Sequence, residues 1–129
     1  RKRFKEAEVT LRNAIRIDPE NARMQNSLGG LFTDTKRFEE AEAAYNNAIK
    51  IDPEYAHAHT NLGGLFADTK RFEEAEAAYN NAINIDPEHA HAHTNLGVLL
   101  DKTGRVEEAE AAFLKAIRLN PEYAHAHNN

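Results

Sequence analysis

Two patterns of apolar and polar positions alternate along the chain. In "AHAHTNLGGLFADT", residues 56–69, Leu62, Leu65 and Phe66 fall at i, i+3 and i+4, the spacing of one helical face. In "RFEEAEAAYNNAINI", residues 71–85, Phe72, Ala75, Tyr79, Ala82 and Ile83 form a single stripe, and Glu73, Glu74 and Glu76 point in other directions. No stretch alternates with period two for long enough to make a strand. The "IDPE" and "LNPE" segments end the second pattern, because the residue before proline is biased away from the helical region. Proline is then tolerated near the start of the next helix.

These two helices recur. Pro19, Pro53, Pro87 and Pro121 are each 34 residues apart, and Gly29, Gly63 and Gly97 keep the same interval. So do Ala41, Ala75 and Ala109, and Ala48, Ala82 and Ala116, while "KRFEEAEAAYNNAI" occurs word for word at 36–49 and 70–83. A fixed period of this size is the signature of a stacked repeat, in which one unit cannot bury its own apolar face and neighbours must do so.

Within the middle period the phased residues are Leu62-Gly63, Phe66, Ala75, Tyr79, Ala82 and Pro87. This set resembles the tetratricopeptide repeat, and the resemblance covers the whole chain. It implies an all-α fold, an α-solenoid of antiparallel helix pairs wound into a right-handed superhelix with a concave and a convex face. Two departures stand out. Gln25, His59 and His93 replace the usual large aromatic early in the first helix. The glycine common between the helices appears once, as Gly104, with Lys36 and Lys70 in its place, so those two turns are expected to be strained.

The phase divides residues 1–129 into a half repeat at 1–21 (a second helix only), full repeats at 22–55, 56–89 and 90–123, and the start of another at 124–129. Seven helices are expected. The chain starts with Arg1 rather than Met and reads as a piece of a longer array. Phe4, Leu11 and Ile15 at one end, and Val106, Phe113, Leu114 and Ile117 at the other, are expected to be partly uncovered, which predicts self-association through the terminal helices.

Composition changes this picture little. The net charge of −5 argues against nucleic-acid binding, which needs basic patches; "RKRFK" at the start reads as a solvated helix end. No apolar run is long enough for a membrane span, and no cysteine is present, which fits a cytoplasmic chain. No cofactor motif occurs. Ser27 has no His-Asp partner pattern, and "LGGLF" is a helical segment and not a phosphate loop, so an enzyme is not expected. The glutamates of "EEAEAA", including Glu39, Glu40 and Glu42, read as solvated surface.

The candidate chemistry lies in the first helices. His89 and His93 are an i, i+4 pair with weak potential as metal ligands, but no carboxylate or thiolate completes a set. His91 and His93 are about 200° apart around a helix. The phase instead predicts one stacked row of His57, His91 and His125 and another of His59, His93 and His127. By resemblance, the first row borders the concave groove and the second replaces the missing aromatic.

Ser27, Asn61, Asn95 and Asn129 share a third position, on the face of the first row, and stacking predicts a ladder of amides able to bind the main chain of an extended peptide. "AHTNLG" is similar to repeats of the O-linked N-acetylglucosamine transferase superhelix, where such asparagines line the groove. Chaperone-binding members of the family clamp a C-terminal carboxylate with Lys, Asn, Lys and Arg on the first helices. The matching positions here are Asn26, Gly30, Asn61, His91 and Asn95, of which only Asn61 fits.

Other expected groove residues are Thr60 and Thr94, Gly30, Gly64 and Val98, and Asp34, Asp68, Asp101 and Lys102. Gly30 and Gly64 leave room for a ligand backbone, and the aspartates favour a neutral or basic peptide. The expected function is a protein–protein interaction scaffold that binds a partner segment in its concave groove. The alternatives are a self-assembly module and, more weakly, a histidine array that binds metal.

Overall fold

A computed structural model of the chain describes residues 2–121. Within them lie seven helices: α1 (Lys2–Ile17), α2 (Ala22–Asp34), α3 (Phe38–Ile51), α4 (Ala56–Asp68), α5 (Phe72–Ile85), α6 (Ala90–Lys102) and α7 (Val106–Leu119). The described residues contain no strand. The expected stub at 124–129, with Asn129, His125 and His127, lies outside the described residues. Helices pack most closely as the pairs α2–α3, α4–α5 and α6–α7. Each pair then rests on the next, and the leading helices α2, α4 and α6 touch along one side, making an α-solenoid.

Pairing rests on glycine. Tyr45 lies over Gly29, Tyr79 over Gly63 and Phe113 over Gly97, so closely that a Cβ on Gly63 would stand 2.6 Å from Tyr79 Cε1. Ala41, Ala75 and Ala109 are buried on the trailing helices. The continuous core runs through Leu28, Phe32, Leu62, Leu65, Phe66 and Leu99.

The turns follow the phase. Thr35 and Thr69 close α2 and α4, their hydroxyls donating to the carbonyls of Leu31 and Leu65 at 3.0 and 2.9 Å. The next residues, Lys36 and Lys70, have φ of 62° and 64°, where Gly104 has 85°. The strain expected at these lysines is present, since an L side chain in this region costs about 1 kcal/mol. Asp52 and Asp86, before Pro53 and Pro87, are extended and end α3 and α5. The prolines sit in the turn itself, before the first turn of the next helix, where Glu54 and Glu88 N–H groups donate to Asp52 and Asp86.

The glutamates do more than face solvent. Arg37, Arg71 and Arg105 each precede a trailing helix and reach back 29 residues to Glu8, Glu42 and Glu76, at 2.6, 2.7 and 2.6 Å. Each also grips the glutamate three residues on, Glu40, Glu74 or Glu108. These arginines hold the Glu40, Glu74 and Glu108 carboxyls below the ordinary carboxylate range. Arg37 and Arg71 stack on Phe32 and Phe66 at 4.4 Å. One fork therefore ties two repeats and covers an aromatic.

At the ends, Phe4, Val106, Leu114 and Ile117 are exposed, as expected, while Leu11, Ile15 and Phe113 pack partly against the core.

Candidate functional site

The leading helices present Asn26, Asn61 and Asn95 in turn, each half-buried. Asn61 Nδ2 donates to Asn26 Oδ1 at 3.0 Å, and Asn26 Nδ2 to the Tyr55 hydroxyl at 3.5 Å. The link therefore joins residues 35 apart. Ser27, which shares Asn61's phase, is exposed and takes no part in it. α2 and α4 step past each other by one position, so the fifth residue of one meets the sixth of the other. Thr60 stands in Asn26's position in the next repeat. Among the described residues, Asn95 consequently has no amide link of this kind.

Thr60 and Thr94 are corrections to the sequence reading. They are 2% and 4% exposed and are not available to a ligand in the groove. Thr60 Oγ1 donates to Ala56 O at 3.0 Å and lies 3.1 Å from His89 Nε2. That position is a seam between α4 and the turn before α6, not part of the concave surface.

The histidine rows are also rearranged. His57 does not stack on His91. Its ring meets that of His89 edge-on at 4.8 Å, and a zigzag runs from Tyr55 through His57 and His89 to His91. Burial, with help from His57 and His91, holds the His89 imidazole below its ordinary pKa. His59 and His93 turn back to the carbonyls of Pro53 and Pro87 at 3.1 and 2.9 Å. They thus brace the turn before their own helix and do not pair across repeats. His89 and His93 have their Nε2 atoms committed to different partners, and no group of three ligating residues able to hold a metal exists among the described residues.

Five of the expected groove residues do come together. Asp68, Asn95 and Lys102 line one cavity of about 220 Å³ between α4 and α6, together with Gly64, Val98 and the core residue Tyr79. Val98 is 45% exposed. Tyr79 is the lining residue that the sequence pattern assigned to the core stripe alone. Its ring is buried, and burial together with the Asp68 carboxylate pushes its hydroxyl up to about 12, so it is a protonated donor at neutral pH.

Stacked helix pairs with a side-chain-lined recess between leading helices define a helical-repeat interaction scaffold. The chain belongs to the tetratricopeptide-repeat family. Its family description "TPR repeat" matches residues 29–69, and "Tetratricopeptide repeat" matches 71–124. Among solved structures, the chain is similar to one described as the functional characterization of Pseudomonas aeruginosa pilF. The two are 30% identical with a TM-score of 0.86, and the match covers 94% of this chain and 55% of that one. It is also similar in fold to two structures of MamA, each 24% identical, with TM-scores of 0.81 and 0.80, covering 92% and 95% of this chain and 69% and 67% of those. None of the curated proteins compared matches the chain. Family members are typically non-catalytic scaffolds that bind proteins. No helix among the described residues is long and apolar enough to cross a membrane.

Proposed function

We propose that the chain binds an extended segment of a partner protein across its leading helices, with the recess between α4 and α6 as the centre of contact. The observation that carries this reading is the convergence of Asp68, Asn95 and Lys102, from two successive repeats, on one cavity. Asn95 offers an amide with two donors and an acceptor to a main chain. The Asn26–Asn61 link extends the same polar track one repeat further. A rigid preformed track of this kind binds without the ordering cost that a flexible surface incurs. Ser27, His57 and His91 are exposed on the same helices and belong to the margin of the proposed track.

The test is selection of a random-peptide phage library on the folded chain, followed by affinity measurement of the selected peptides on variants. Asn95→Ala is expected to lower affinity about three- to tenfold, the worth of one neutral hydrogen bond, and Lys102→Ala by about tenfold or more, the worth of one from a charged group. Peptides that bind every such variant as tightly as the parent chain overturn the reading.

A further inference from the structure

The trailing helices of the three full pairs carry Tyr45, Tyr79 and Phe113 at one repeat position, each ring lying on a glycine. Their outer ends differ. The Tyr45 hydroxyl is 3.3 Å from Thr33 Oγ1, which itself donates to Gly29 O. At Tyr79 the corresponding residue is Ala67, and among the described residues the Tyr79 hydroxyl has no hydrogen-bond partner. Tyr79 is nevertheless only 3% exposed, and its surroundings open into the cavity below Asn95 and Lys102. Phe113 has no hydroxyl. One position of three therefore leaves a phenol O–H with no partner among the described residues and open to the recess, able to donate to a bound group.

We infer that the Tyr79 recess is a side-chain subsite that takes a neutral carboxamide, the side chain of a glutamine or asparagine on the partner segment. The inference rests on the groove reading above and names what one part of the groove selects. The recess combines the phenol of Tyr79 and the ammonium of Lys102, both donors, with the carboxylate of Asp68, an acceptor. Asp68 and Lys102 cancel in charge. An acidic side chain would meet Asp68 and a basic one Lys102. A carboxamide side chain carries no charge and offers a carbonyl to the donors and an NH2 to the carboxylate. About 220 Å³ matches several water volumes of about 30 Å³, enough for such a side chain. Gly64 leaves the floor open, since a Cβ there would sit 3.9 Å from the Tyr79 hydroxyl oxygen.

Two substitutions isolate the hydroxyl. Tyr79→Phe removes it and keeps the ring, an arrangement the chain already uses at Phe113 over Gly97. Ala67→Thr installs the hydroxyl that Thr33 provides for Tyr45, giving Tyr79 an internal partner. Tyr45→Phe is the control. With peptides selected from the random-peptide phage library, Tyr79→Phe and Ala67→Thr are each expected to lower affinity about three- to tenfold. Tyr45→Phe is expected to leave it unchanged. The selected sequences are expected to be enriched in Gln or Asn at one position, and replacing that residue by Ala should abolish the difference between the parent chain and Tyr79→Phe. Peptides that lose affinity on Asn95→Ala and Lys102→Ala but ignore Tyr79→Phe and Ala67→Thr overturn the subsite and leave the groove reading standing. Enrichment of Asp, Glu, Lys or Arg at that position overturns the carboxamide assignment. A selection that yields no groove-directed peptide overturns the groove reading, and the subsite falls with it.

Discussion

Gly63 and Gly64 are neighbours in the middle of α4, yet alanine at each should move stability in opposite directions. An alanine in a helix interior is favoured over glycine by about 1 kcal/mol. At Gly64 nothing opposes that gain, because the added Cβ meets only the Tyr79 hydroxyl oxygen at 3.9 Å, an ordinary contact. Gly64→Ala should therefore stabilise by about 0.5–1 kcal/mol. At Gly63 the added Cβ would stand 2.6, 2.7 and 3.1 Å from three Tyr79 ring carbons, against about 3.5–4.0 Å for carbon atoms in contact. The ring must retreat by about 1 Å, and it is buried among residues at native packing density. Overpacking of this kind costs about 1–3 kcal/mol, which outweighs the helical gain. The net expectation for Gly63→Ala is a loss of about 0–2 kcal/mol, and a gap of about 1–3 kcal/mol between the two variants. For a chain of 129 residues that gap is about 4–12 °C in thermal midpoint. Thermal and urea melts followed by circular dichroism would measure it. Gly63→Ala combined with Tyr79→Leu should recover most of the loss, since a shorter side chain vacates the contact. If Gly63→Ala raised the midpoint as much as Gly64→Ala, the ring-on-glycine contact would not be what sets the spacing of the helix pair.

The strained turns give a second expectation: Lys36→Gly and Lys70→Gly should each raise stability by about 0.5–1 kcal/mol, and Gly104→Ala should lower it by about 1 kcal/mol, all read from urea midpoints. His89 supplies a pH dependence. Its folded pKa lies below 6.5, so under that pH the unfolded chain binds a proton that the folded chain resists, and stability falls as pH drops below about 6.5 and is flat just above it. Asp86 opposes the effect only in part. Urea midpoints at about pH 7.5 and pH 5.5 should show the fall, and His89→Gln should flatten it; an unchanged slope would remove His89 as the cause. Arg71→Lys keeps the charge but loses the fork that holds Glu42 and Glu74 together, so its midpoint should fall below that of the parent chain, and the difference should narrow in about 1 M salt.

Much of the architecture is legible from one number, the 34-residue period, because a repeat that stacks must keep its packing residues in phase. Gly63, Ala75 and Ala82 are constant for that reason. The strain at Lys36 and Lys70 is legible too, since Gly104 shows what the turn prefers. What the period hides is the sideways offset between neighbouring helices. Phase alone pairs Asn61 with Ser27, whereas the fold pairs it with Asn26. Phase alone sets His57 on His91, whereas the fold sets it on His89. The same offset takes Thr60 into a seam. The Arg–Glu forks span 29 residues and depend on how two trailing helices lie across a leading one, which no local pattern encodes.

The positions where the copies differ are therefore more informative about binding than the positions where they agree. Packing accounts for the constant residues, but it does not require Ala67 where the previous repeat has Thr33, nor Lys102 where that repeat and its predecessor have Asp68 and Asp34. Nor does it require Val98 in place of Gly64, or Phe113 in place of Tyr79. Three of these departures, Ala67, Val98 and Lys102, line one recess: the loss of Thr33's hydroxyl frees Tyr79, the gain of Lys102 balances Asp68, and Val98 adds a wall. Gly64→Ala brings the two demands into conflict, because it should strengthen the fold while narrowing the floor of the recess. The substitution should raise the thermal midpoint and lower the affinity of selected peptides at once, measured on the same preparation. An affinity that held or rose would mean that the open floor at Gly64 serves the helix packing and not the ligand.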